Sequence, residues 1–402
     1  MNPVKKMGCR VYQAAFRVAV KFLNWQEPKI VKGAGAIKQL PAIVKEKGIK
    51  KVLVVTDKGL MSLHLLDGLF EALGGQNVDY SLYDGTNPNP SINNIEEAYK
   101  IYRDTGCQAV IAVGGGSPMD CAKVCAARAA RPKMEIAKMR GVLKIRKKLP
   151  PLFAVPTTAG TGSETTIAAV VSNPETHEKY PINDPVLRPA YAVLDPELTI
   201  GLPPHITSTT GMDALTHAVE AYIGHSNTPD TEEKAKLATK MIFANIEKVY
   251  ADGKNIEARE QMLLASYYAG VAFTRAYVGY VHAIAHNLGG LYNIPHGLAN
   301  AIILPYVLEY YGESAQERLA QLADVAGITT PGQSSKDKAE AFIEAIKTLN
   351  RNMNIPDGFE QIKQEDIPTL VKRALKEGNP LYPVPKLMDE ADCEAVVRRL
   401  MK

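Results

Sequence analysis

At 402 residues the chain is roughly twice as long as one ordinary domain needs, so two domains with large cores are expected. Its 46% apolar and 22% charged residues, with 30 Gly and 26 Pro, exclude disorder, collagen and coiled coil, and 47 basic against 43 acidic side chains leave +4, too little to announce a nucleic-acid partner. Five cysteines (Cys9, Cys107, Cys121, Cys125, Cys393) without a CxxC pair suit reduced thiols in a cytosol, and no apolar run of about 18 residues is there to span a bilayer, so a cytoplasmic protein without membrane or nucleic-acid partners is expected.

The first 26 residues carry Lys5, Lys6, Arg10, Arg17 and Lys21 and no acid, with Val11, Ala15, Val18 and Phe22 at helical spacing. This predicts a basic amphipathic arm that packs its apolar stripe on the body of the protein, with a membrane-surface or targeting segment as the alternative. From residue 50 to about 196, apolar runs at 51–55, 78–83, 109–113, 152–155 and 190–194 alternate with helical stretches. Such βαβ order implies a parallel sheet covered on both faces, with ligands held beyond the carboxyl ends of its strands.

Three segments fall at those ends. Asp57 follows the first run, where a carboxylate either accepts from an adenosine ribose and repels a 2′-phosphate or caps a helix. Gly114-Gly115-Gly116-Ser117-Pro118 reads as strand, glycine turn and helix start, with Ser117 as the cap, Pro118 as the first helical residue and Asp120 three beyond the cap. Its backbone N–H groups suit a pyrophosphate, although it is not GxGxxG and a plain strand-to-helix turn reads as well. Residues 156–164, Pro-Thr-Thr-Ala-Gly-Thr-Gly-Ser-Glu, crowd hydroxyls at the next strand end, where they bind a dinucleotide or bond locally. The six basic residues between 138 and 148 read as a solvated face.

After Pro204 the pattern is helical, which gives a boundary there and domains 1–204 (with 1–26 as the arm) and 205–402. Asp213 and His217, four apart, lie at a helix start; His282 and His286, also four apart, share one helix face; His296 follows Gly-Gly and Ile-Pro breaks and can fold back. One carboxylate and up to four imidazoles suit a divalent metal such as Fe or Zn, and five candidates for four positions leave one histidine free for chemistry.

Together these segments resemble the iron-containing (group III) alcohol dehydrogenase family, butanol dehydrogenases included, from about residue 32 to the end. The motifs are Asp84-Gly85-x-x-Pro88-Asn89-Pro90, Gly114-Gly115-Gly116-Ser117-x-x-Asp120-x-x-Lys123, residues 156–164, Gly211-x-Asp213-Ala214-x-x-His217-Ala218-x-Glu220, and His282-x3-His286-x9-His296-Gly297. The resemblance implies an α/β fold, an N-terminal Rossmann-like parallel-sheet domain followed by an all-helical C-terminal domain, with a cleft between them that excludes water. It implies that Asp213, His217, His282 and His296 hold one divalent metal, Fe(II) first, with Zn(II), Co(II) or Ni(II) open. His286 is then an unligated proton relay. Gly115, Gly116 and Ser117, with Asp120, form the pyrophosphate loop; Thr157, Thr158, Thr161 and Lys179 line the rest of the dinucleotide; Asn89 borders both cofactor and substrate, and Phe273 the substrate. Asp57 would favour NAD(H) over NADP(H). The implied reaction is hydride transfer between NAD(H) and a small primary alcohol or aldehyde of the butanol/butanal kind. A lactaldehyde or diol reductase of the same family and a hydroxyacid-oxoacid transhydrogenase are the alternatives. Dehydroquinate synthases, whose ligand set begins with Glu, fit less well, and a homo-oligomer, a dimer first, is expected.

Overall fold

The apolar runs of the first half fold as strands in the computed structural model, which describes residues 1–19, 25–174 and 178–402. In chain order the strands are β1 (Lys29–Lys32), β2 (Lys51–Val55), β3 (Asp79–Tyr83), β4 (Ala109–Gly114), β5 (Gly141–Val142), β6 (Leu152–Pro156), β7 (Ala168–Asn173), β8 (Glu178–Asn183) and β9 (Tyr191–Leu194). Six of them form a parallel sheet ordered β1-β9-β6-β4-β2-β3. Every residue of the central strands β4 and β6 is buried, as their unbroken apolar sequences require, whereas β1 and β3 at the edges are partly exposed.

Five helices connect these strands: α2 (Leu40–Glu46), α3 (Lys58–Ser62), α4 (Asp67–Gly75), α5 (Ile92–Asp104) and α6 (Gly116–Ala130), with α1 (Pro3–Ala19) ahead of them. On one sheet face Val54, Ile111, Val113, Phe153 and Val155 pack with Leu40 and Val44 of α2 and Leu69 and Leu73 of α4. On the other, Leu53, Val55, Val110, Ala112 and Ala154 pack with Ile95 and Ala98 of α5 and Met119 and Ala122 of α6. Each large side chain buried this way stabilises by about 1.5–3 kcal/mol relative to exposure.

Two local expectations change. Helix α6 begins at Gly116 with Gly115 as its N-cap, so Ser117 and Pro118 lie inside the first turn and Ser117 caps nothing. The reason is close packing: a Cβ on Gly114, whose φ is 149°, would fall 2.6 Å from Pro118 Cγ, so glycine lets the proline ring fold back over the strand end. β7 and β8, which follow the hydroxyl-rich loop, join β5, which precedes it, in a second sheet ordered β5-β8-β7 that periodicity does not reveal. β7 pairs antiparallel with β8 from Ala168↔Asn183 to Asn173↔Glu178.

Asn24–Gly201 form one unit, and Met1–Leu23 with Leu202–Lys402 form the other. The second is helical: α7 (Pro204–Ile223), α8 (Pro229–Ala251), α9 (Ile256–Ala276), α10 (Tyr280–Tyr292), α11 (His296–Tyr311), α12 (Gln316–Ala326), α13 (Ser335–Asn352), α14 (Ile367–Gly378) and α15 (Glu390–Arg399). Among the described residues no helix is long and apolar enough to cross a membrane.

The arm departs from expectation. α1 groups with the helical unit, and its apolar stripe points outward: Val11 is 63% and Val18 54% exposed, Val4 and Met7 more so, and Ala15 is exposed as well. Phe22 lies outside the described residues. Phe16 against the Tyr277 ring, buried Cys9 and several polar groups hold the helix. Arg10 donates to the carbonyls of Val384 (2.7 Å) and Pro385 (2.8 Å), and buried Gln13 donates to those of Pro380 (3.1 Å) and Tyr382 (2.7 Å).

Candidate active site

Asp213 and His217 sit one turn apart on α7, not at a helix start but midway along it, since the helix already begins at Pro204. His282 and His286 are likewise one turn apart on α10. Gly289 and Gly290 do not interrupt α10, which runs to Tyr292; the reversal comes from Asn293 in the left-handed region (φ 55°), after which Pro295 caps α11 and His296 is its first residue. A Cβ on the next residue, Gly297, would lie 2.9 Å from the carbonyl carbon of Thr209, so glycine lets α11 lie directly on α7.

The donor atoms of Asp213, His217, His282 and His296 lie within 4.8 Å of one another, the first three buried and His296 half-buried. His296 Nε2 is 3.5 Å and His282 Nε2 4.0 Å from Asp213 Oδ1. Buried Asn300, one turn along α11, donates from Nδ2 to Asp213 Oδ1 at 2.6 Å and lies 3.2 and 3.1 Å from the Nε2 atoms of His282 and His296. The His217 ring stacks between Phe273 (centroids 4.0 Å apart) and His282 (4.6 Å).

Glu220, three residues beyond His217 and fully inside, aims His282. Its carboxylate accepts His282 Nδ1–H at 2.6 Å and the backbone N–H groups of Gly279 and Val281, both at 2.8 Å. Carrying its proton on Nδ1, His282 presents the Nε2 lone pair toward Asp213. Burial holds His282 well below the usual imidazole range and brings His296 down to about 4, the latter against the opposing pull of Asp213. Both are therefore neutral at pH 7, the form in which imidazole binds a metal. Three imidazoles and one carboxylate, close together and aimed by an outer carboxylate, fit a divalent ion of the Fe or Zn kind. Glu220 lies inside the motif that carries Asp213 and His217, and the signal for its role is its i, i+3 offset from His217. Glu220→Gln is expected to weaken metal binding by about 10–100-fold, the usual cost of an outer partner, because the amide accepts less strongly from Nδ1–H. Metal titration of the stripped variant measures this, and unchanged affinity would remove Glu220 from the site.

His286 stands outside the quartet, its ring stacked on that of His296 with centroids 5.1 Å apart. Its Nδ1 meets Glu377 Oε1 at 2.6 Å, and the same oxygen accepts the Tyr382 hydroxyl at 2.9 Å. Desolvation works to lower the His286 pKa, but the Glu377 charge and hydrogen bond, together with the charges of Asp213 and Glu220, outweigh it and the net direction is up. The helix end that carries Glu377 is itself pinned, with Gly378 tight against the Tyr280 ring and Tyr280 Oη donating to Asn379 Oδ1 at 2.7 Å. Neither Glu377 nor Tyr382 was found by sequence, since they lie far along the chain from His286 and carry no local pattern.

In the sheet unit, Gly115, Gly116 and Ser117 open α6 and are half-buried. A Cβ on Gly115 would touch Thr158 and one on Gly116 would touch Thr161, so the two expected loops do meet. Ser117 Oγ accepts the backbone N–H of exposed Asn89 at 3.2 Å, and Asn89 is in the left-handed region (φ 56°). Buried Thr157 donates its N–H to Gly114 O at 3.1 Å. Lys179 is exposed on β8 opposite Ser172, whose N–H bonds Pro90 O. Asp57 caps α3, accepting from Leu60 N at 2.9 Å, so the capping alternative is realised.

Asp120 and Lys123 turn inward to fasten the hydroxyl loop. Asp120 accepts from Ser163 Oγ (3.3 Å) and Val170 N (3.0 Å); Lys123, wholly buried, donates to Ser163 Oγ (2.9 Å), Thr166 Oγ1 (2.7 Å) and Ala168 O (2.9 Å). Burial pushes Asp120 up to about 6 and Lys123 down to about 8, while their mutual attraction opposes both.

Comparison with known proteins gives concordant results. The family model described as iron-containing alcohol dehydrogenase matches residues 27–196, and that of the C-terminal part of the Fe-containing alcohol dehydrogenase family matches 207–401. A 1,3-propanediol dehydrogenase of Klebsiella pneumoniae is 40% identical over 356 residues, 88% of this chain and 92% of that protein. The crystal structure of a 1,3-propanediol oxidoreductase superposes with a TM-score of 0.91 at 38% identity, covering 94% of this chain and all of the other. A sulfoacetaldehyde reductase from Bifidobacterium kashiwanohense, solved with NAD+, gives 0.84 at 30% identity over 94% of this chain and 98% of its own.

Proposed function

Because the chain belongs to the iron-containing alcohol dehydrogenase family, whose members are oxidoreductases acting on CH–OH groups, we propose that it interconverts small primary alcohols and aldehydes, of the butanol/butanal kind, with NAD(H) and one divalent metal. The observation that carries this reading is the quartet Asp213, His217, His282 and His296, with His286 beside it but outside it.

Asp213, His217, His282 and His296 would hold the ion, Fe(II) first and Zn(II), Co(II) or Ni(II) otherwise; when bound it supplies Lewis-acid polarisation of the substrate oxygen. When bound, NADH would supply the hydride in reduction and NAD+ would accept it in oxidation. His286 handles the proton: Nδ1 is committed to Glu377, which leaves Nε2 to give a proton to the substrate oxygen in reduction or take it in oxidation. Phe273, stacked on His217, offers an apolar wall to the carbon chain, and Asn89 a polar contact. The N–H groups of Gly115, Gly116 and Ser117 at the start of α6 suit a pyrophosphate, with Thr157, Thr158, Thr161 and Lys179 for the remaining dinucleotide groups. Asp120 serves this loop by holding Ser163. Asp57 spends Oδ1 on Leu60 N, and its carboxylate charge favours a ribose hydroxyl over a 2′-phosphate, hence NAD(H) over NADP(H). A cytoplasmic homo-oligomer, a dimer first, accompanies this reading on the family resemblance.

A second reading, reduction of hydroxyaldehydes to diols, is favoured by the identity to the Klebsiella 1,3-propanediol dehydrogenase. The deciding experiment follows NADH and NADPH oxidation with butanal, 3-hydroxypropanal and lactaldehyde on protein stripped of metal and then reloaded with Fe(II) or Zn(II). Turnover that returns with metal, prefers NADH and accepts butanal is expected. Preference for the hydroxyaldehydes selects the second reading, and turnover indifferent to metal overturns both.

A further inference from the structure

We propose that the N-terminal helix α1 is a positioning element for His286. The inference rests on the proton-handling reading of that histidine and assigns a role to a segment ahead of both family-model matches.

The connection runs through three hydrogen-bonded steps. Gln13 donates from Nε2 to the carbonyls of Pro380 and Tyr382, and Arg10 holds Gln13 Oε1 (2.9 Å) while gripping the carbonyls of Val384 and Pro385. Five side-chain bonds from two residues thus fix the stretch 380–385 or each other. The Tyr382 hydroxyl donates to Glu377 Oε1 at 2.9 Å, and that oxygen takes His286 Nδ1–H at 2.6 Å. Tyr382 is buried, its N–H bonded to Gly378 O at 2.8 Å, so its ring cannot follow another course once its backbone is held.

The inverted face of α1 supports the same conclusion. A helix that served only to cover core would turn Val4, Met7, Val11 and Val18 inward; here those are exposed, and Cys9, Gln13 and the Arg10 head group face the body. Beside a bond from Arg17 to the His225 carbonyl and Phe16 against the Tyr277 ring, the helix gives the fold directed hydrogen bonds to one short stretch, and that stretch contains the tyrosine that fixes the partner of His286.

The test is steady-state aldehyde reduction by the full-length, metal-loaded protein, with metal content and circular dichroism recorded for each variant. Tyr382→Phe is expected to lower kcat about tenfold, as loss of an outer partner does, with KM and metal content unchanged. Gln13→Ala is expected to lower kcat about threefold in the wild-type background and to add nothing in the Tyr382→Phe background, because both act on one connection. Val11→Ser, on the outer face, is expected to leave kcat as it is. Should Gln13→Ala lose the fold, Gln13→Glu, which keeps Arg10 as a partner but repels the two carbonyls, takes its place in the same comparison. Full kcat in the Gln13 variant, or additive losses in the double variant, overturns the proposal while leaving the reading of His286 intact. Full kcat in His286→Gln overturns that reading instead.

Discussion

Asp213→Ala is expected to abolish metal binding and to lower turnover by about 10³-fold or more, the scale on which losing electrostatic stabilisation of a developing oxyanion is felt. Asp213 is the only carboxylate among the four donors and, at 3% side-chain exposure, the only negative charge they offer to balance a bound cation. Removing it leaves three imidazoles that can bind an ion only with that charge uncompensated, and strips Asn300 of its 2.6 Å acceptor. Metal content after reconstitution and activity should therefore fall together, while the helical circular dichroism persists. Metal retained at full occupancy with undiminished turnover would break the assignment of the quartet.

His286→Ala is expected to separate the two properties. The ring lies beside His296 without entering the donor set, so metal content should match the parent protein while kcat falls about 10²-fold or more, the contribution of a positioned proton donor. Glu377 makes the case specific, since its bond to Nδ1 settles which nitrogen remains for the substrate. Loss of metal along with kcat would return His286 to the ligand set, and unchanged kcat would mean that the proton takes another path.

The five metal candidates were legible because spacing of four survives folding whenever a helix forms, and both pairs lie on helices; which four of the five would hold the ion came from the family resemblance. Helix limits were less legible. Asp213 reads as lying at a helix start, yet α7 already begins at Pro204, and Thr207 and Ser208 are buried within it, where packing overrides their weak propensity. Gly289 and Gly290 cost about 1 kcal/mol each inside α10, an amount its buried face outweighs. For α1 periodicity located the helix but not which side turns inward, because a contrast between faces carries no sign; Arg10 and Gln13 supply it by finding carbonyls far along the chain. Glu377 and Tyr382 were out of reach for the same reason. The cofactor loops were readable as strand-end glycines and hydroxyls, while the inward ties of Asp120 and Lys123 needed β7, a strand the reading had passed over.

Glu220 joins two obligations in one carboxylate. It satisfies the N–H groups of Gly279, just ahead of α10, and of Val281 in its first turn, which no intrahelical acceptor can reach, and it also aims His282. A relative that abandoned metal chemistry and drifted at Asp213 or His217 would still need this acid to start the helix, so selection would go on preserving it. An acid at this position is therefore poor evidence that a divergent sequence is still an enzyme, and the loss of its neighbours is the better sign of a retired active site.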